Sequence, residues 1–401
     1  MRMWAFSGCA PGYFMSATPL NIFFSGMIAA DPHHGGATWA VLQYVLGLQK
    51  LGHKVVVVEP IAVKSIRPAD CPLKESVNAA YFRQVAADFA LTKSAALLLE
   101  NSRQTVGLPY DELCSFASQA DVLINVSGML MDRELIDSIP IKAYLDLDPV
   151  FNQLWQSACG IDMRFEGHTH FVTVGLALGT HSCRVPTCGK KWMHTFQPIV
   201  LEYWPRSREI RYNGLTTVGN WRGYGSIEYK GEFFGQKAHS LRELIALPRQ
   251  TDEKFFLALA IHHDETQDLQ NLSRNGWKLL DPRKVAGSPA TYREFIQQSK
   301  AELGIAKSGY VRSWCGWFSD RSVCYLASGR PVIAQNTGFS DHLPTGKGLF
   351  AFQSVDDAVR CINSMNHDYE HHSEAARQLA EAYFCSGRVL TVLLQRLGAI
   401  S

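Results

Sequence analysis

Hydroxyl, carboxylate and guanidinium groups stand together at Ser319, Asp320, Arg321 and Ser322, directly ahead of apolar residues at Val323, Leu326 and Ala327. That spacing marks the buried face of a helix, so the polar cluster falls at its N-terminus. There the unpaired backbone N–H groups and the helix dipole favour an anion. Ser319, Asp320 and Ser322 can cap the helix or accept hydrogen bonds, and Arg321 and Arg312 can pair with phosphate. Gly329 predicts a left-handed stop, and Pro331 opens the strand "PVIAQN". Without a ligand, the same stretch reads as a plain helix-to-strand turn.

Other residues could complete a site. "VGNWRGYG" (Val218–Gly225) is a glycine-containing loop after a strand, where Asn220 and Arg222 could meet a phosphate. In "DPHHGG" (Asp31–Gly36), His33 or His34 could act as a general base, and Gly35 and Gly36 could make room for a ligand. The bland alternative is a surface loop whose histidines cap the next helix. "YLDLDP" places Asp146 and Asp148 on one side of a strand. Asp148, just before Pro149, could be a base, a hydroxyl ligand, or simply a turn residue. His168 and His170 in "EGHTHF" form another candidate pair, although a strand-edge histidine is usually only hydrogen-bonded. His181, Cys183, Cys188 and His194 are soft ligands without the usual zinc spacing. An ordinary loop is the default there, and no metal site is expected.

These groups need positioning elements. "NIFFSGMIA" and "KVVVVEP" read as buried strands flanking a helix with apolar residues at Val41, Leu42, Val45, Leu46 and Leu48. Strand, glycine turn, helix, strand is a βαβ unit, and strands apolar on both faces imply a parallel sheet. Further strands are expected at 121–128, 142–149 and 170–175. After a Trp- and Pro-rich passage near 195–210, a second series is expected at 215–221, 254–261, 277–282, 301–307 and 331–336. The fold class is therefore α/β, with two Rossmann-like doubly wound domains facing a cleft. Residues 1–20 read as a flexible extension with Met15 an alternative start, 21–200 and 210–380 as the two domains, and 381–401 as a C-terminal helix packing back on the first.

Composition narrows the function. At 401 residues the chain suits two domains of roughly 200 residues each. A net charge of +2 without a basic run disfavours nucleic acid as a partner. Ten scattered cysteines fit a reducing, cytoplasmic setting, and no apolar run has the length of a membrane span.

The segments "LASGRPVIAQNTGF" (Leu326–Phe339) and "GGATWAVLQYVLGLQKLGHKVVVVEP" (Gly35–Pro60) resemble the donor-binding and opening segments of GT-B glycosyltransferases. The resemblance covers most of the chain in order of elements. It implies an N-terminal acceptor domain and a C-terminal nucleotide-sugar domain. It also implies a diphosphate gripped at the Ser319–Ser322 helix start, and a nucleobase near Asp281 and Pro282 in "LLDP". The donor would be of UDP, dTDP or GDP type, with no separate cofactor and no metal, and the acceptor a small molecule or glycan. Within the family, the nearest likeness is to family four, a hexosyltransferase-like group. Its Glu-x7-Glu carboxylates would fall at Gly316 and Cys324, so both are missing.

Two other readings compete. A nicotinamide-dependent oxidoreductase is suggested by Glu59, about twenty residues past the glycines, although "HHGGAT" is not G-x-G-x-x-G. The missing glutamates suggest a non-catalytic binder of nucleotide sugars.

Overall fold

The computed structural model describes residues 18–401, so the expected extension up to residue 17, with Met15, lies outside the described residues. The strands β1 (Asn21–Ser25) and β2 (Lys54–Ile61) are buried on both pleats, which demands cover on both faces of the sheet. They are joined by β3 (Ala95–Leu99), β4 (Thr105–Gly107), β5 (Val122–Val126), β6 (Ile141–Asp146), β7 (His170–Thr173) and β8 (Trp192–His194). The eight strands run in the order β4-β3-β2-β1-β5-β6-β7-β8, parallel except for the β3–β4 pair. The order reverses direction at β1, so a crevice opens at the C-terminal ends of β1 and β5.

The second sheet is built from β9 (Tyr212–Asn220), β12 (Phe255–Ala260), β13 (Lys278–Leu279), β14 (Ser299–Gly304), β15 (Val332–Gln335) and β16 (Leu349–Phe352). Its order is β13-β12-β9-β14-β15-β16, all parallel, with the reversal between β9 and β14. A separate hairpin, β10 (Ile227–Tyr229) and β11 (Glu232–Phe234), is inserted after β9. The short strands β3, β4, β8, β10, β11 and β16 are absent from the sequence expectation. Runs of three to five residues such as "LFAF" carry no period that separates strand from loop.

The domains are not independent. One apolar cluster joins Ile22, Phe24 and Val45 to Val218, Tyr325 and Leu349, and another joins Tyr144, Phe151 and Leu154 to Ile227, Phe234 and Tyr310. The chain crosses between domains twice, and the crossings bond to each other through Ile199 N–H to the Phe384 carbonyl (2.8 Å) and Ser386 N–H to the Ile199 carbonyl (2.9 Å). The last helix, Ser386–Arg396, lies on the helix Gly35–Lys50. A Cβ on Gly47 would stand 2.5 Å from Leu390. Among the described residues no helix is long and apolar enough to cross a membrane.

Candidate functional site

The C-terminal end of β9 is the centre of the site. Gly219 has φ +148, a conformation L side chains rarely adopt, and its bare Cα leaves space for two cations. A Cβ there would lie 3.2 Å from Lys237 Nζ and 3.7 Å from Arg321 Nη1. Lys237 opens the helix Lys237–Glu243, after the hairpin loop has returned the chain to the sheet edge. Arg321 sits in the first turn of the helix Asp320–Ala327. Each is only 8% exposed.

Their surroundings differ. Arg321 Nε donates to Glu302 Oε1 at 2.6 Å and Nη1 to the Val218 carbonyl at 3.1 Å. Its Nη2 and the second oxygen of Glu302 are buried without a partner. Lys237 forms no ion pair among the described residues. Burial, and then the Arg321 charge, hold its ammonium well below the usual lysine value. A buried cation without a counter-ion is costly, and an anion placed between Lys237 and Arg321 Nη2 relieves that cost.

The helix start adds donors. Ser319 caps it by accepting from Arg321 N–H at 3.2 Å, and Ser319 and Ser322 are buried. Burial pushes the Asp320 carboxyl up, and its charge reaches the hydroxyls of Tyr44 and Tyr292. The Ser319–Ser322 turn thus lies at the seam between the domains.

Not every expected residue joins this cluster. Arg222 is exposed and forked onto Glu265, so its charge is already engaged. Asn220 is exposed at the end of β9, and Arg312 is exposed on the helix Ser308–Ser313. Asp281 caps the helix Pro282–Ala286 by accepting from Arg283 N–H at 3.0 Å, with Pro282 as its first residue. This places both at the C-terminal end of β13.

The glycines of the first domain serve a different end from the one expected. A Cβ on Gly35 would lie 2.2 Å from the Ser288 carbonyl oxygen, and one on Gly36 would lie 2.8 Å from the Tyr292 ring. Trp39 Nε1 donates to the Pro289 carbonyl at 2.8 Å. Gly35 and Gly36 therefore admit the opposite domain rather than a ligand. His34 occupies the helix N-cap without a side-chain cap bond and pairs with Asp31 at 3.4 Å; exposed His33 packs edge-on against Tyr81. His168 and His170 stand at the start of β7, away from the C-terminal strand ends that face the seam. His168 packs on Tyr144 and contacts Asn125 Nδ2 at 3.1 Å, and burial holds its imidazole below the usual histidine value. The quartet of His181, Cys183, Cys188 and His194 does not converge. Among the described residues the group that brings three such ligand atoms together is His262, His263 and Asp264.

Asp148 crosses the seam to meet side chains of the second domain. Lys307 Nζ donates to both its oxygens at 2.9 Å, and the hydroxyls of Tyr224 and Tyr310 donate to them as well. Its loop is held by a chain of bonds. Asp146 accepts from Gln153 Nε2 at 2.8 Å, and Gln153 Oε1 accepts from Val150 N–H at 2.7 Å. Val150 itself is a buried β-branched residue at φ +81, a strained conformation that the surrounding bonds enforce.

The sequence reading missed Lys237, Glu302, Lys307, Tyr224 and Tyr310. Two had a signal. Lys237 opens a helix, where the dipole repels a cation unless an anion is near, and Glu302 is an acid inside the buried strand "SKAELG". Glu59, the candidate ribose ligand, is fully buried and accepts from the backbone N–H groups of Ala29 and Ala30 at 2.6–2.8 Å. Its carboxylate is consumed in holding that loop.

No family model matches the chain, and no curated protein matches it. Solved structures do. Anabaena HepE, in complex with UDP and glucose, is similar over 95% of this chain and 100% of its own, with a TM-score of 0.58 at 12% identity. AviGT4, a glycosyltransferase involved in avilamycin A biosynthesis, covers 95% and 98%, with a TM-score of 0.55 at 15% identity. An alpha-glucosyltransferase in complex with UDP-glucose and abasic-site DNA covers 94% and 98%, with a TM-score of 0.58 at 12% identity. At these identities the likeness shows the fold, two Rossmann-like domains in the GT-B arrangement.

Proposed function

We propose that this protein is a glycosyltransferase that moves a sugar from a nucleoside-diphosphate sugar to an acceptor hydroxyl. The observation that carries the reading is the buried pair Lys237 and Arg321 at the C-terminal end of β9, the edge where open parallel sheets bind ligands. Structurally similar proteins hold UDP or UDP-glucose, which favours a uridine donor over dTDP or GDP here. The cations and the Ser319–Ser322 helix start would stabilise charge on the departing diphosphate, without a metal being needed for that task. The Leu280–Pro282 backbone would face the base. The acceptor, a small molecule or glycan, would enter from the first domain, with Asp148 the best-placed carboxylate for its hydroxyl. A hexosyltransferase of the family-four kind fits the order of elements, and the described cysteines, all free, fit a cytoplasmic setting.

A thermal-shift panel tests the donor. UDP or another nucleoside diphosphate should raise the melting midpoint, and NAD(H) should not. At a hundred times Kd the gain is about 2.7 kcal/mol. Stabilisation by NAD(H) alone would reinstate the oxidoreductase, whose ribose ligand Glu59 is otherwise engaged. A second reading, a non-catalytic nucleotide-sugar binder, is favoured by Gly316 and Cys324 at the positions of the missing glutamates. Slow hydrolysis of UDP-glucose to UDP and glucose would decide for the enzyme, and binding with no hydrolysis for the binder.

A further inference from the structure

We propose that Asp148, Lys307, Tyr224 and Tyr310 form a latch across the domain seam, which an arriving diphosphate opens by drawing Lys307 away from Asp148. The freed Asp148 carboxylate can then accept a hydrogen bond from the second substrate's hydroxyl. The inference rests on the donor-binding reading above.

The latch joins the two domains: Asp148 belongs to the first, and Tyr224, Lys307 and Tyr310 belong to the second. Lys307 Nζ sits 2.9 Å from each Asp148 oxygen and 3.2 Å from the Tyr310 hydroxyl. It is walled by the rings of Phe151, Tyr224 and Tyr310 at 4.9, 4.3 and 5.1 Å. Phe151 and Trp155 of the first domain pack on Tyr224, with centroids 4.8 and 4.6 Å away. Every donor and acceptor in the knot is thus satisfied, and Asp148 has no position left for a substrate.

Lys307 is also a neighbour of the anion site. Gly309 N–H donates to the Gly235 carbonyl at 3.0 Å, and Ser308 N–H to the Gln236 carbonyl at 3.4 Å, which fixes Lys307 beside the turn that delivers Lys237. Its charge is felt at Lys237. In this structure Arg321 is paired with Glu302 and Lys307 with Asp148, which leaves Lys237 without a carboxylate. A diphosphate brings more negative charge than Lys237 alone offsets. Lys307 is the cation able to respond, because an ammonium on a flexible stem swings where a forked guanidinium does not. Asp148 keeps its two tyrosine donors, Tyr224 and Tyr310, when Lys307 leaves.

The latch and the nucleotide therefore compete for one lysine, and the closed latch lowers apparent nucleotide affinity. Calorimetric titration of the full chain with UDP, and with pyrophosphate as a probe carrying the diphosphate alone, tests this. Asp148→Asn should bind UDP roughly tenfold tighter than wild type, and Lys307→Met should bind it more weakly. A merely structural salt bridge moves both variants the same way. Should Asp148→Asn fail to fold, Tyr310→Phe, which removes one donor from the latch, should still bind UDP more tightly. Wild-type binding with no tightening in Asp148→Asn, or in Tyr310→Phe if that stands in for it, overturns the latch and leaves the donor reading intact. Absence of UDP and pyrophosphate binding in wild type overturns both.

Discussion

At the scale of single residues, partners decide which cations matter. Lys237 is buried without a carboxylate, whereas Arg222 is exposed and already forked onto Glu265. Lys237→Met should therefore weaken UDP binding at least ~30-fold, as loss of a buried charge contact does, while Arg222→Ala should leave it within about twofold. Calorimetry on both variants checks the contrast, and equal losses would redraw the site. Buried acids make a second prediction. Burial lifts the Glu59 carboxyl to about 7 against its hydrogen bonds from Ala29 and Ala30, and lifts Asp146 to about 6. A raised folded-state value means that the folded chain keeps protons the unfolded chain has released. Stability is then full below the ordinary carboxylate range and falls as pH rises towards 7. Glu59→Gln keeps an acceptor at Oε1 for both N–H groups and cannot titrate. Its melting midpoint should fall less between pH 5 and 7 than that of wild type. Parallel pH profiles would show that Glu59 does not drive the trend. The sequence flagged Arg321 by its place at a helix start. Lys237 carried only the faint signal of a cation at a helix start, and it acquires its meaning beside Gly219 and Arg321, 18 residues before and 84 residues after it.

At the scale of elements, close approach explains residues that local sequence reads otherwise. The Gly35–Gly36 pair looks like a ligand loop, yet the Ser288 carbonyl and Tyr292 ring occupy the space a side chain would need. Gly35→Ala sets a methyl against a backbone atom, so one domain must shift. Overpacking of this kind costs about 1–3 kcal/mol, which should appear as a lower melting midpoint in calorimetry; an unchanged midpoint would mean that the seam is loose. Likewise the Asp146–Gln153–Val150 chain holds the Asp148 loop in strain, and Gln153→Leu should cost about 1–3 kcal/mol by leaving the Val150 N–H without its acceptor. Urea unfolding measures that difference. The long elements were legible from periodicity: β1, β2, the helix between them and the helix Asp320–Ala327. The hairpin β10–β11 was not, since its residues look like a loop until Ile227 and Phe234 are seen in a core shared with Phe151.

For the whole molecule, the shared clusters and the paired crossings bind the two sheets into one cooperative unit. We expect a single calorimetric transition whose van't Hoff and calorimetric enthalpies agree; two resolved transitions would show that the domains melt separately.

The sequence alone determined the α/β class, the tandem of buried parallel strands and the capped helix start at Ser319–Ser322, because periodicity, glycine punctuation and capping act within a few residues of chain. Only the tertiary structure decided which charges remain without partners. Lys237 and Arg321 meet at β9, Asp148 meets Lys307, and Glu59 turns inward because folding brings together segments far apart in sequence, and electrostatic interaction depends on distance and burial.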